Sequence, residues 1–152
     1  MALRTHSSTA VEKYSQEAAD KCVPLDSELI KEAIPLFTQI HHCGSVLAEV
    51  FFAMMISRIL YGSVPAPGTM VIFSILLATC SIGTPGLPWG TVMVSLGTLT
   101  GILKFGDSGV ALMFAVFALN DAFAAACNAT CDGAAALFLT GYVKRHDFSN
   151  RL

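Results

Sequence analysis

The chain has 152 residues, of which 54% are hydrophobic and 13% charged; its net charge is −2 and its mean hydropathy +0.63. That balance excludes an ordinary water-soluble domain and predicts a membrane protein, while near-neutral charge names no nucleic-acid or acidic partner. No phosphate loop, nucleophile elbow or HExxH arrangement is present to support an enzyme.

The opening residues, MALRTHSSTAVEKYSQ, place no apolar run behind Arg4, and so predict neither a secretory signal nor an anchor. Residues 7 to 22 predict a moderately amphipathic helix, with Val11, Tyr14 and Ala18 three or four positions apart. VPLDS at 23 to 27 predicts a turn, and Asp26 or Ser27 ahead of Glu28 opens a second helix. That helix meets HHCGS at 41 to 45, where Gly44 and several polar side chains interrupt a segment otherwise read as apolar to Gly62. A break inside a membrane helix is one reading and an ordinary interhelical loop the other. At bilayer depth a break is tolerated only where protein or a water-filled cavity covers it.

Between Arg58 and Lys104 there is no Asp, Glu, Lys or Arg. Two apolar arms, 69 to 82 and 89 to 103, each run about fifteen residues, or about 22 Å, against a hydrocarbon core of ~30 Å. GTPGLP at 83 to 88 cannot continue a helix. Short arms around such a tip predict a re-entrant hairpin whose second arm aims free N–H groups at a ligand. Two plain crossings are the alternative.

The last apolar segment, 109 to 143, is long for one crossing, with unwinding near NAT at 128 to 130 as an option. Asn128 and Asp132 follow Asp121 by seven and eleven positions, which at ~100° per residue puts all three on one stripe. Ala124 and Ala125 flank that stripe, and Cys127 and Cys131 lie well round the helix. A charge near mid-bilayer costs about 2.5–3.5 kcal/mol on the insertion scale, so the stripe must meet protein, water, an ion or a substrate. Carboxylates with an amide suit an ammonium group or cation on one side and a carboxylate on the other. The bland alternative pairs the two aspartates with Arg58.

Five cysteines, Cys22, Cys43, Cys80, Cys127 and Cys131, are odd in number and read as small buried apolar residues. His41, His42 and Cys43 have metal-capable side chains but are adjacent, unlike a structural zinc site. No metal beyond a coupling cation is expected. The tail with Lys144, Arg145 and Arg151 predicts a cytoplasmic C-terminus.

Taken together, the Ser-rich segment, the broken helix, SIGTPGLP at 81 to 88 and a long helix carrying D-x6-N-x-T-x-D resemble the C-terminal part of the dicarboxylate/amino acid:cation symporter family. The likeness covers essentially the whole chain; SIGTPGLP and NATCD are its specific motifs. Transporters built from inverted repeats, among which an archaeal member of this family is a standard example, bind substrate near the midplane between broken helices.

The resemblance implies an all-α membrane protein forming a partial transport domain. Residues 6 to 22 would be the tip and second arm of a first hairpin, 28 to 62 a broken transmembrane helix, 68 to 103 a re-entrant hairpin, 109 to 143 a transmembrane helix and 144 to 152 a cytoplasmic tail. It implies that Asp121 holds a substrate's amino group and Asn128 its carboxylate, with hairpin-tip contacts from Ser7, Ser8, Gly83, Thr84, Pro85 and Gly86. Gly44, Ser45, Ser81, Thr84, Asn128 and Asp132 would bind the coupling cation, sodium or a proton.

Where acidic-substrate members carry arginine, this chain has Ala124, which implies a small neutral amino acid. The usual threonine is Ala125, and Asn-Met-Asp-Gly-Thr is here His41-His42-Cys43-Gly44-Ser45, which loses a cation ligand. Family members are more than twice as long and carry an N-terminal scaffold that mediates trimer formation. The expectation is therefore a truncated or split carrier of amino acids or dicarboxylates in the plasma (inner) membrane, multi-pass, needing that scaffold or a companion chain. Two other readings stand beside it: a non-transporting membrane interaction protein or degenerate remnant, and a pH- or metal-responsive site at His41 to Cys43.

Overall fold

The computed structural model describes residues 2–5, 9–21, 27–84 and 90–146, and every regular element among them is helical. In chain order these are α1 (Ala2–Thr5), a 3-10 turn (Thr9–Val11), α2 (Glu12–Asp20), α3 (Ser27–Ile40), α4 (Cys43–Tyr61), α5 (Pro67–Ile82), α6 (Gly90–Gly101) and α7 (Asp107–His146). The expected helix over 7 to 22 is thus shorter. It begins with a 3-10 turn, and it buries Val11 and Ala19 while leaving Tyr14 half exposed.

The 40 residues of α7 make the axis of the fold, about 60 Å long, with no unwinding near NAT. The polar residues there do not break it, because Asn128 bonds away to α4 and Thr130 returns its hydroxyl to the Ala126 carbonyl at 2.8 Å. Buried positions recur every third or fourth residue, from Met113 and Phe117 through Asp121, Asn128 and Asp132 to Ala136. That period is one helix face.

Two apolar clusters pack on this face. One joins α4, α5, α6 and the first half of α7, with Ile56, Phe73, Leu77, Val92, Leu99, Met113 and Phe117 buried together. The other joins α2, α3 and the second half of α7 through Ala19, Ile30, Ile34 and Ala136. The polar residues of α7 lie between the clusters.

The outward faces are apolar as well. Leu119, Phe138 and Leu47 are 83%, 77% and 71% exposed. Residues of that kind suit hydrocarbon rather than water. The runs Glu28–Tyr61 and Asp107–His146 are long and apolar enough to cross a bilayer; Pro67–Ile82 is a shorter apolar helix. The described free cysteines follow the same rule and depart from expectation: Cys127 is exposed and Cys43, Cys80 and Cys131 are partly so. A thiol is apolar enough to face hydrocarbon. Cys22 lies outside the described residues.

Proline inside α3 shows how backbone groups are kept paired. Pro35 has no N–H to give the carbonyl of Lys31 one turn earlier, and Gln16 Nε2 of α2 donates to that oxygen at 3.2 Å instead. The interruption after α3 is narrower than HHCGS suggests. Only His41 and His42 are non-helical, and α4 starts at Cys43.

Gly44 is therefore no helix breaker. It is a contact point, where an added Cβ would stand 2.6 Å from Cys127 Cβ and 2.7 Å from the Ala124 carbonyl oxygen. The absent side chain lets α4 and α7 touch backbone to backbone. Gly44→Ala should push the helices apart and cost about 1–3 kcal/mol. Gly97→Ala, which meets open space in α6, should be neutral or stabilising by up to about 1 kcal/mol. Thermal unfolding in detergent compares the two, and equal midpoints would contradict the close packing at Gly44.

Candidate functional site

The site begins with the break. In a continuous helix the N–H groups of Gly44 and Ser45 would bond the carbonyls of Ile40 and His41, four residues back. Both turn instead to one atom of α7, Asn128 Oδ1, at 2.8 and 3.3 Å. Asn128 Nδ2 donates to Ser45 Oγ at 2.9 Å. His42, at the N-cap position, makes no side-chain cap bond. Asn128 thus caps α4 from another helix, and the carbonyls of Ile40 and His41 are released from helical bonding.

One turn further on, Asp132 is 1% exposed. His41 Nδ1 lies 3.1 Å from its Oδ1, and Thr38 Oγ1 lies 3.5 Å from its Oδ2 while also donating to the Ile34 carbonyl at 2.9 Å. The basic partner of Asp132 is accordingly a histidine of the break and not Arg58. Arg58 Nη1 donates to the Gly62 carbonyl at 2.6 Å. His42 is buried beside the backbone of Ser81.

Of the expected site residues, Asp121, Asn128, Asp132, Gly44 and Ser45 are all buried along the facing surfaces of α4 and α7. Ser81 and Thr84 are buried at the end of α5, where Thr84 N–H bonds the Ser81 carbonyl at 3.0 Å and Thr84 Oγ1 the Cys80 carbonyl at 3.2 Å. Gly83 is exposed, with open space where a side chain would stand. Ser7, Ser8, Pro85 and Gly86 lie outside the described residues. An apolar cavity of about 610 Å³ between α4 and α7 is a separate place. Leu47, Phe51, Phe123, Ala124 and the thiols of Cys43, Cys127 and Cys131 line it, and Asp121, Asn128 and Asp132 do not.

Sequence reasoning passed over Glu49. It sits in the middle of α4 at 0% exposure, bonded by Ser95 Oγ of α6, with its Oε2 unpartnered among the described residues. The signal was available, since the cost that singled out Asp121 applies equally to a carboxylate inside an apolar helix. No group of three or more potential metal ligands of the His, Cys, Asp and Glu types converges among the described residues.

A released-carbonyl helix end, a capped helix start and a buried carboxylate row make a site for both charge signs. The family model of sodium:dicarboxylate symporters matches residues 1–141. The chain belongs to the sodium:dicarboxylate symporter family. No curated protein matches it. Membership makes this a protein of membrane transporters rather than enzymes, in a family coupled to sodium.

For this family member, the cap is the feature most open to measurement. Asn128→Ala leaves two backbone N–H groups and Ser45 without their partner and should cost about 1–3 kcal/mol, whereas Asn128→Asp keeps the acceptor and should lose less. Hydrogen exchange at Gly44 and Ser45 should quicken in the alanine variant alone. Equal protection in both would mean that α4 is capped by something else.

Proposed function

We propose that this chain is the substrate- and cation-binding part of a sodium-coupled carrier for a small neutral amino acid. The observation that carries the reading is the convergence of Asp121, Asn128 and Asp132 on one buried face of α7, opposite the break between α3 and α4. Asp121 receives the amino group. Asn128 keeps one amide N–H for the substrate carboxylate, since its oxygen and its other N–H are committed to α4. About 10 Å of helix rise separates the two residues, a gap their side chains narrow. The absence of arginine at Ala124 leaves no cationic partner for a second carboxylate, which favours a neutral ligand.

A cation is held by Asp132 with Thr38 Oγ1 and the carbonyls freed at the end of α3. All of these are oxygen donors, as a hard cation requires. The His41 contact to Asp132 must give way or move when sodium enters. By the family resemblance we assign substrate contacts to Ser7, Ser8 and the tip residues Gly83 to Gly86, and cation contacts to Ser81 and Thr84. The unit moves against a scaffold in a trimer, with residues 144 to 152 in the cytoplasm.

A second reading, a membrane protein that docks to another chain without transporting, draws on the same His41–Asp132 contact, because the carboxylate already has a partner. It expects no sodium-dependent protection of the hairpin tip. In bilayers that also carry the scaffold, Asp121→Ala should lower sodium-driven alanine uptake at least about tenfold, the worth of one charge-assisted hydrogen bond. Aspartate should compete poorly. Unchanged alanine uptake in the variant would remove Asp121 from the substrate site.

A further inference from the structure

At the end of the bundle away from Lys144 and Arg145, α4 stops at Tyr61, α5 starts at Pro67, α6 stops at Gly101 and α7 starts at Asp107. The two connections between them enclose a cavity of about 290 Å³ lined by Ser57, Tyr61, Ser63, Pro65, Leu103 and Lys104. We propose that this cavity binds a phosphate group, carried by a lipid headgroup or free in solution. The site is separate from the carrier site and does not depend on it.

Ser57 gives the first reason. It is 3% exposed, and its Oγ has no hydrogen-bond partner among the described residues although it lines the cavity. A buried hydroxyl left in that state costs about 1–3 kcal/mol, which an entering acceptor would recover. Lys104 gives the second. It is the one non-glycine residue with positive φ among those described, at 56°, a conformation that favours glycine. Its neighbours hold it there, with Leu103 N–H bonded to the Thr98 carbonyl at 3.3 Å and Phe105 N–H to the Leu99 carbonyl at 3.1 Å. A lysine kept at a glycine-favouring position, with its side chain on the cavity wall, points to use of the ammonium.

Tyr61 is a further lining residue held in place by its neighbours. Its ring packs on Phe105 with centroids 5.5 Å apart, and its oxygen accepts from Gly106 N–H at 3.0 Å, so the phenolic proton remains to be given. Ser63 adds another hydroxyl. The polar residues of the lining are thus a lysine, two serines and a tyrosine, with no carboxylate among them. That set suits a tetrahedral oxyanion and repels a cation.

Size and position agree. At roughly 30 Å³ per water the cavity holds about nine or ten waters, enough for one phosphate with some hydration but not for the body of a lipid. Tyrosine and lysine at the ends of apolar helices mark the level of lipid headgroups.

The test uses the chain in phosphatidylcholine nanodiscs, with inorganic phosphate titrated against thermal stability. Native mass spectrometry compares retained phosphatidylglycerol with phosphatidylcholine. Lys104→Gly should unfold no earlier than wild type, because the backbone strain is relieved, yet bind either probe about tenfold or more weakly. Lys104→Arg should stay within a few-fold. Ser57→Ala should be at least as stable as wild type without the probe, because the unpartnered hydroxyl is gone, and less stabilised with it. Stabilisation by inorganic phosphate identifies a free-anion site, and Lys104-dependent retention of phosphatidylglycerol alone identifies a headgroup site. Binding that is the same in wild type and Lys104→Gly, or that falls equally in Lys144→Gln, would overturn the proposal.

Discussion

A carboxamide from one helix capping the start of another is the interaction on which this architecture rests. In hydrocarbon there is no water to take up the N–H groups at a helix start, so a chain break at that depth needs a partner supplied by protein. Asn128 is that partner for α4. The same bonds release two carbonyls at the end of α3, so closing one helix end makes the other a source of ligands. Gly44 is the steric condition for this, because any side chain there would hold the two helices too far apart for the cap to form.

The two apolar clusters explain why the polar row survives. Met113 and Phe117 anchor α7 on one side of it and Ala136 on the other, so the row from Asp121 to Asp132 is held at fixed depth between packed layers. Two of its polar groups meet specific neighbours: Asp132 meets His41 and Thr38, and Asn128 meets Gly44 and Ser45. Glu49 repeats the pattern within the larger cluster, reaching Ser95 across the α4–α6 contact. Buried polar pairs of this kind set register as well as chemistry.

Much of the architecture is legible in the residues themselves. Helical phase alone puts Asp121, Asn128 and Asp132 on a shared face, and all three are buried there. The short arms before and after GTPGLP correspond to α5 and α6, of 16 and 12 residues. Other features depended on partners that phase cannot name. Asn128 and Thr130 look like residues that would unwind a helix, and α7 runs straight through them because their side chains are bonded elsewhere. Arg58 looked like the only basic candidate in an apolar span, and the partner of Asp132 came from a histidine 91 positions away.

By itself the sequence determined the membrane class, the helices and the face of α7 that carries charge, because hydropathy and the 3.6-residue period are local properties. The motifs that suggested the family, SIGTPGLP and NATCD, are also local. Only the tertiary structure decided that Gly44 is a contact rather than a break, that Asn128 is a cap, that Glu49 is bonded inside the bundle and that Ser57 and Lys104 share a cavity. Each of those depends on a distance between helices far apart in the chain, and no periodicity within one helix encodes which atom of another will stand opposite.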